Sequence, residues 1–373
     1  MKTRLYLLFA LSLVLFSCEE KNDEPWNPEV HTNYVTIVAL SGNTIHSMNT
    51  ADKQVKTTTL DDSYGVLKRL FMHNGEMMLF SKASDGFRMM KFDGTNVTDN
   101  KIVTLLNDYI GDPWWVSVSN TNNNYCYACD NSTENKYVII DGNGNSKEYS
   151  YNLNNGEFPS IQYSLRIVDG SGNFYHAYKY SSDFNSSGNL FVEKNGQFLF
   201  QVKGDLTPLR MCLLGNDVYL LGYNSEGKGA YSVNSSVVAD GEFSCITCAC
   251  ILDGKLCLGG FKTDIDKVKR ATLKVGDKYS DLTHELGWYE HKDFVTGAGD
   301  NHSSNVENIV VENNMIFALV RKYTQVNPWV AGGDDYFMES GDAIFCYTEK
   351  LMDFGDKLIN GIHRYTEKKR SGS

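Results

Sequence analysis

Nine cysteines stand in this chain of 373 residues, and five of them fall at spacings that zinc uses, Cys126-x-x-Cys129 and Cys245-x-x-Cys248-x-Cys250. A structural zinc site needs such pairs on tight turns that bring both sulfurs to one point. Both runs instead lie in strand-like segments, where residues three apart face opposite sides of a sheet. Packed small side chains are therefore the preferred reading, and neither a metal nor a cofactor is expected. Cys250 has a second relation: if Asp253-Gly254 makes a two-residue hairpin loop, Leu252 opposes Lys255 and Cys250 directly opposes Cys257. Direct neighbours across two strands lie within disulfide range. Asp141-Gly-Asn143-Gly-Asn145 starts like a calcium loop, but Ser146 and Asn152 occupy the positions that need a glycine and a bidentate glutamate. It reads as a hairpin turn.

The long connection 287–305 gathers Trp288, Tyr289, Glu290, His291, Asp293, Asp300 and His302, with His284 just before it. Histidine beside carboxylates can hold a metal or move a proton. Neither a nucleophile motif nor a paired acid stands out, however. A second long stretch, 325–341, carries Trp329, Asp334 and Tyr336, and an earlier one carries Asp108, Tyr109, Trp114 and Trp115. Aromatic faces interleaved with acceptors suit a sugar ring or a peptide. Ligand contact is expected at Trp288, Tyr289, His291 and Trp329, with Asp108 and Tyr109 behind them.

Such connections need a rigid frame, and the frame is legible as a repeated hairpin. Strand-type runs break at 72–75, 120–124, 169–173, 215–217, 253–255 and 312–314, each at Gly, Asn or Asp, which tolerate positive φ. A second hairpin follows each first one, as Phe87–Phe92 with Lys101–Leu105 and Leu190–Val192 with Gln197–Val202. Two hairpins per period of about 40 to 50 residues describe a four-stranded propeller blade. Seven second hairpins meet six complete first hairpins, so Ile362–Tyr365 is the candidate for the missing strand, joining the chain ends. The expectation is an all-β propeller of four-stranded antiparallel blades, seven in number, forming one domain over residues 34–373. Strand parity sends the long connections to one rim and the short Gly/Asn/Asp turns to the other.

The chain carries 42% hydrophobic residues and a net charge of −11. That permits a large core and makes nucleic acid a poor partner; a monomer is expected. At the N-terminus, Lys2 and Arg4 precede an apolar run, Leu5 to Phe16, that is too short for a bilayer span of about 20 residues and stops at an acidic pair. Residues 1–17 read as a signal peptide. Leu15-Phe16-Ser17-Cys18 resembles a bacterial lipobox, which implies acylation of Cys18 and a membrane partner through the lipid. Residues 18–33 are polar and hold Pro25 and Pro28, so they read as a flexible tether. The acidic cluster after Cys18 resembles the export signal of Bacteroidetes surface lipoproteins. Lipobox, acidic tether and degenerate four-stranded repeats together are similar to propeller lipoproteins of that group. The resemblance implies an outer-membrane location exposed at the cell surface, or facing the periplasm, and transfers no catalytic residue. Two functions are carried forward: a binding module for a glycan or protein ligand, and a glycan-degrading hydrolase or lyase in the central funnel, which would need paired carboxylates.

Overall fold

The structure, a computed structural model, describes residues 36–50, 52–73, 76–103, 116–118, 125–131, 136–141, 145–150, 161–169, 171–180, 189–265, 268–286, 301–312, 314–326, 336–354 and 362–365. The chain divides into two units, Met1–Tyr34 and Val35–Ser373.

Among the described residues the second unit holds seven four-stranded antiparallel sheets, each a meander from an inner to an outer strand. The first blade comprises β1 (Thr36–Ser41), β2 (Thr44–Asn49) and β3 (Val55–Thr59), with a C-terminal strand against β1. Blade 2 is β4 (Val66–His73), β5 (Glu76–Ala83), β6 (Gly86–Phe92) and β7 (Val97–Val103). Blade 3 is β8 (Val116–Val118), β9 (Tyr125–Asn131), β10 (Lys136–Asp141) and β11 (Ser146–Ser150). Blade 4 is β12 (Ile161–Val168), β13 (Phe174–Tyr180), β14 (Leu190–Lys194) and β15 (Gln197–Val202). Blade 5 is β16 (Thr207–Leu214), β17 (Asp217–Tyr223), β18 (Gly229–Val233) and β19 (Ser236–Asp240). Blade 6 is β20 (Cys245–Leu252), β21 (Lys255–Thr263), β22 (Lys269–Val275) and β23 (Lys278–Asp281). Blade 7 is β24 (Asn301–Glu312), β25 (Met315–Val326), β26 (Tyr336–Cys346) and β27 (Glu349–Asp353). The last strand, β28 (Ile362–Tyr365), returns to blade 1 and pairs with β1 from Thr36↔Tyr365 to Ala39↔Ile362.

The first strands of the blades touch in an unbroken circuit, β4 to β8, β12, β16, β20, β24, β28 and back to β4. That circuit makes the sheets blades of a closed β-propeller around a central axis, and the C-terminal strand supplies the inner strand that blade 1 otherwise lacks. Each sheet is covered on both faces by its neighbours. Second strands therefore read as continuous apolar runs instead of alternating ones: Met77–Phe80, Val218–Leu221 and Ile316–Val320 are buried throughout. Between blades 1 and 2 the core is Val38, Leu40, Leu67, Leu70 and Leu79; between blades 6 and 7 it is Cys248, Cys257, Val306, Ile309 and Ala318.

The turns explain the register. Asp253-Gly254 has φ of 49 and 72, and Asn195-Gly196 has φ of 53 and 75. Two consecutive positive φ values define the type I′ turn that matches strand twist. As the turn requires, Leu252 opposes Lys255 and Cys250 opposes Cys257.

Candidate functional site

Strand parity fixes two rims. First-to-second and third-to-fourth turns lie on one; second-to-third turns and the links between blades lie on the other, here called the link rim. The strand ends that flank 104–115, 151–160, 287–300 and 327–335 all belong to the link rim.

Near this rim the inner strands share an irregularity. Each of β4, β16, β20 and β24 holds one extra residue against its partner, Lys68, Leu209, Thr247 and Glu307 respectively. Each stands five residues before the last residue of its strand, His73, Leu214, Leu252 and Glu312. Strand β12 has a comparable shift at Gln162. Such bulges locally break the ladder and re-aim side chains, and they recur at barrel rims and next to sites. Here they set Lys68-Arg69, Leu209-Arg210, Thr247-Cys248 and Glu307-Asn308 at one level around the axis.

The chemistry of this level is polar with an apolar rim. The Arg210 guanidinium on blade 5 reaches past blade 6 to the Glu307 carboxylate on blade 7, Nη2 to Oε2 at 3.4 Å. Asn305 Nδ2 donates to the other Glu307 oxygen at 2.8 Å. On blade 6 between them, Thr247 Oγ1 donates to the Val306 carbonyl and is buried. Val66 and Leu209 stay 56% and 41% exposed at the same end. Lys68, Arg69 and Arg210 against Glu307 make the described part of this level more basic than acidic, opposite in sign to the whole chain. Charged donors and acceptors beside exposed aliphatic groups can hold a polar ligand; no described residue here pairs a nucleophile with a base.

Cys18, Asp108, Tyr109, Trp288, Tyr289, His291 and Trp329 lie outside the described residues. Among the described residues near the link rim, Asn43 and Tyr64 join blades 1 and 2. Asp61 accepts from the Ser63 N–H at 2.8 Å in the turn Asp62–Tyr64. Asn43, in the β1–β2 turn, donates to the Gly65 carbonyl at 3.0 Å and accepts from the Leu67 N–H at 2.9 Å. Tyr64 packs on the core between blades 1 and 2. His284 is exposed on the turn His284–Leu286. Among the described residues no three His, Cys, Asp or Glu side chains gather as metal ligands would.

The reading of Cys245-x-x-Cys248 needs correction. The extra residue Thr247 shifts the alternation, so that Cys245 opposes Phe261, Cys248 opposes Gly259 and Cys250 opposes Cys257. Those partners are two apart, which places all four cysteines, Cys257 included, on one face. Burial pushes the Cys245 thiol up to about 11, and the buried Cys248 thiol rises further, the Thr247 hydroxyl opposing the shift only in part. Neither is a ready thiolate.

The residues at the bulges stand in separate strands and are not marked by the connections that carry the aromatic residues. Their signal is two adjacent residues that break an apolar strand run at a fixed five-residue distance from the end of the strand.

No protein-family model matches the chain, and no curated protein matches it. Among solved structures the chain is similar to an arginine-to-alanine triple mutant of AofleA from Arthrobotrys oligospora, with 12% identity, 82% of this chain and 88% of that chain covered, and a TM-score of 0.37. It is similar to virginiamycin B lyase from Staphylococcus aureus, with 9% identity, coverage of 74% and 84%, and a TM-score of 0.40. It is also similar to apo AztD from Citrobacter koseri, with 8% identity, coverage of 89% and 98%, and a TM-score of 0.36.

Proposed function

We propose that this chain is a lipid-anchored β-propeller of the outer membrane, exposed at the cell surface, that binds a glycan or protein ligand at the link rim of its axis. The observation that carries the binding reading is the repeated bulge, which sets Lys68-Arg69, Leu209-Arg210 and Glu307 at one level of the axis. Binding fits this arrangement better than hydrolysis, because the level offers one described carboxylate where glycosidases need two. The strand ends flanking the tryptophan-bearing connections share that rim, so Trp288 and Trp329 belong with the same ligand. The anchor rests on Cys18 and the leader before it; more than one acyl chain at about 0.8 kcal/mol per buried methylene holds a protein firmly on a bilayer.

Two experiments test this. Cells fed a radioactive fatty acid should label the protein, and Cys18→Ala should abolish the label; an unlabelled wild type ends the anchor reading. Glycan and peptide arrays, read together with product analysis, should report binding without turnover, and released product would replace the binding module with an enzyme.

A further inference from the structure

Cys250 and Cys257 face each other across the hairpin of blade 6. The type I′ loop makes Leu252 and Lys255 a hydrogen-bonded pair, and alternation makes Cys250 and Cys257 the next such pair. The Cα atoms of such pairs stand about 5.5 Å apart, at the centre of the range disulfides use. Both side chains pack toward blade 7. Cys257 is 0% exposed and Cys250 8%.

We propose that Cys250 and Cys257 form a disulfide when the chain matures in an oxidising compartment, and that it closes before blade 7 docks on blade 6. A disulfide-bonded oxidant of the thiol–disulfide oxidoreductase or glutathione class supplies the electrons' destination. One cysteine thiolate attacks the oxidant's disulfide, forming a mixed disulfide and expelling one sulfur as a thiol. The second cysteine attacks the mixed disulfide, closing the internal S–S bond and releasing the other sulfur. Two S–H protons are lost, and two electrons reduce the oxidant.

The timing follows from what covers the pair. In the finished fold Val306, Ile309 and Ile316 of blade 7 share its core cluster, and Tyr347 packs against that cluster. Asn314 Nδ2 donates to Asp253 Oδ2 at 2.8 Å, tying the hairpin ends of the two blades together. A bulky oxidant reaches the sulfurs only while that interface is open, whereas the hairpin itself is local and can form first.

This inference rests on the export reading, and its test has two arms. In the first, the full chain is extracted from membranes of exporting cells, alkylated with N-ethylmaleimide after denaturation, and mapped by mass spectrometry. A peptide linked through Cys250 and Cys257, two hydrogens lighter than the reduced pair, is expected. In the second, reduced and denatured full-length Cys18→Ala protein is refolded with oxidised glutathione present, or given it only after refolding. The bridge should form in the first case and on the order of tenfold slower or worse in the second, since oxidation then waits on opening of the interface. A Cys257→Ser chain should lack the linked peptide and keep its circular dichroism spectrum. No bridge during oxidative refolding, or a bridge between other cysteines, overturns the proposal. Free thiols from membranes combined with a bridge on refolding overturns only the oxidising location.

Discussion

Substituting Gly259 by alanine puts a methyl group where blades 6 and 7 meet. A Cβ there comes to 2.6 Å from Cys248 Sγ and 2.7 Å from Val306 Cγ1. Both neighbours belong to the buried cluster between the two blades, so neither swings into solvent. Overpacking of this kind costs about 1–3 kcal/mol. Against it stands about 0.4–1 kcal/mol from the smaller conformational freedom of alanine in the unfolded chain. The net expectation is a loss of about 1–2 kcal/mol. Val306→Ala, which removes both Cγ atoms, itself costs about 2 kcal/mol through the cavity it leaves. In the double variant the new methyl occupies part of that cavity, so the two losses should sum to less than their separate values by about 1 kcal/mol or more. Urea unfolding followed by circular dichroism, on wild type, both single variants and the double variant, measures this. A neutral Gly259→Ala, or strictly additive losses, would refute the account of how these blades pack.

Two further outcomes follow from the fold. Ending the chain at Gly361 removes β28 and leaves the Thr36–Ala39 edge of β1 unpaired; the urea midpoint should fall and size-exclusion chromatography should show self-association through the open edge, whereas an unchanged midpoint would mean that the last strand does not close the ring. Burial, with help from the Arg166 guanidinium, holds the His176 imidazole down at about 3 against an ordinary 6.5. The unfolded chain therefore takes up a proton below 6.5 that the folded one refuses. This residue's share of stability is whole above that pH and falls on acidification by up to about 1.4 kcal/mol per pH unit. His176→Gln should flatten the stability slope between pH 6 and 5, and an unaltered slope would show that the folded ring is protonated.

What was legible in the sequence was whatever short-range chemistry fixes. Asp253-Gly254 determines a type I′ turn, the turn determines register, and register sets Cys250 against Cys257. The closing strand was legible because β2 and β3 form a second hairpin whose first hairpin lacks a strand, leaving one place for Ile362–Tyr365. The facing of Cys245 and Cys248 was not legible by simple alternation, because one inserted residue, Thr247, moves everything beyond it to the other face. The axial level was missed for a related reason. Lys68, Arg69, Arg210 and Glu307 look like unremarkable polar residues in separate strands until the ring closes and brings those strands around one axis. Trp288, Tyr289, His291, Trp329, Asp108 and Tyr109 remain expectations drawn from residue type and from the rim their flanking strands share.

The central claim is that ligand is held at the link rim around the axis. Its most direct measurement is the affinity of the best array ligand for wild type, Arg210→Ala and Trp288→Ala, beside Asn216→Ala and Lys255→Ala on the opposite rim. Arg210 is exposed, its side chain at 59%, so its loss leaves the fold intact. The account predicts that the first two variants weaken binding at least tenfold, about 1.4 kcal/mol, and that the opposite-rim variants match wild type. Binding that ignores Arg210 and Trp288 and is lost with Asn216 or Lys255 would contradict it.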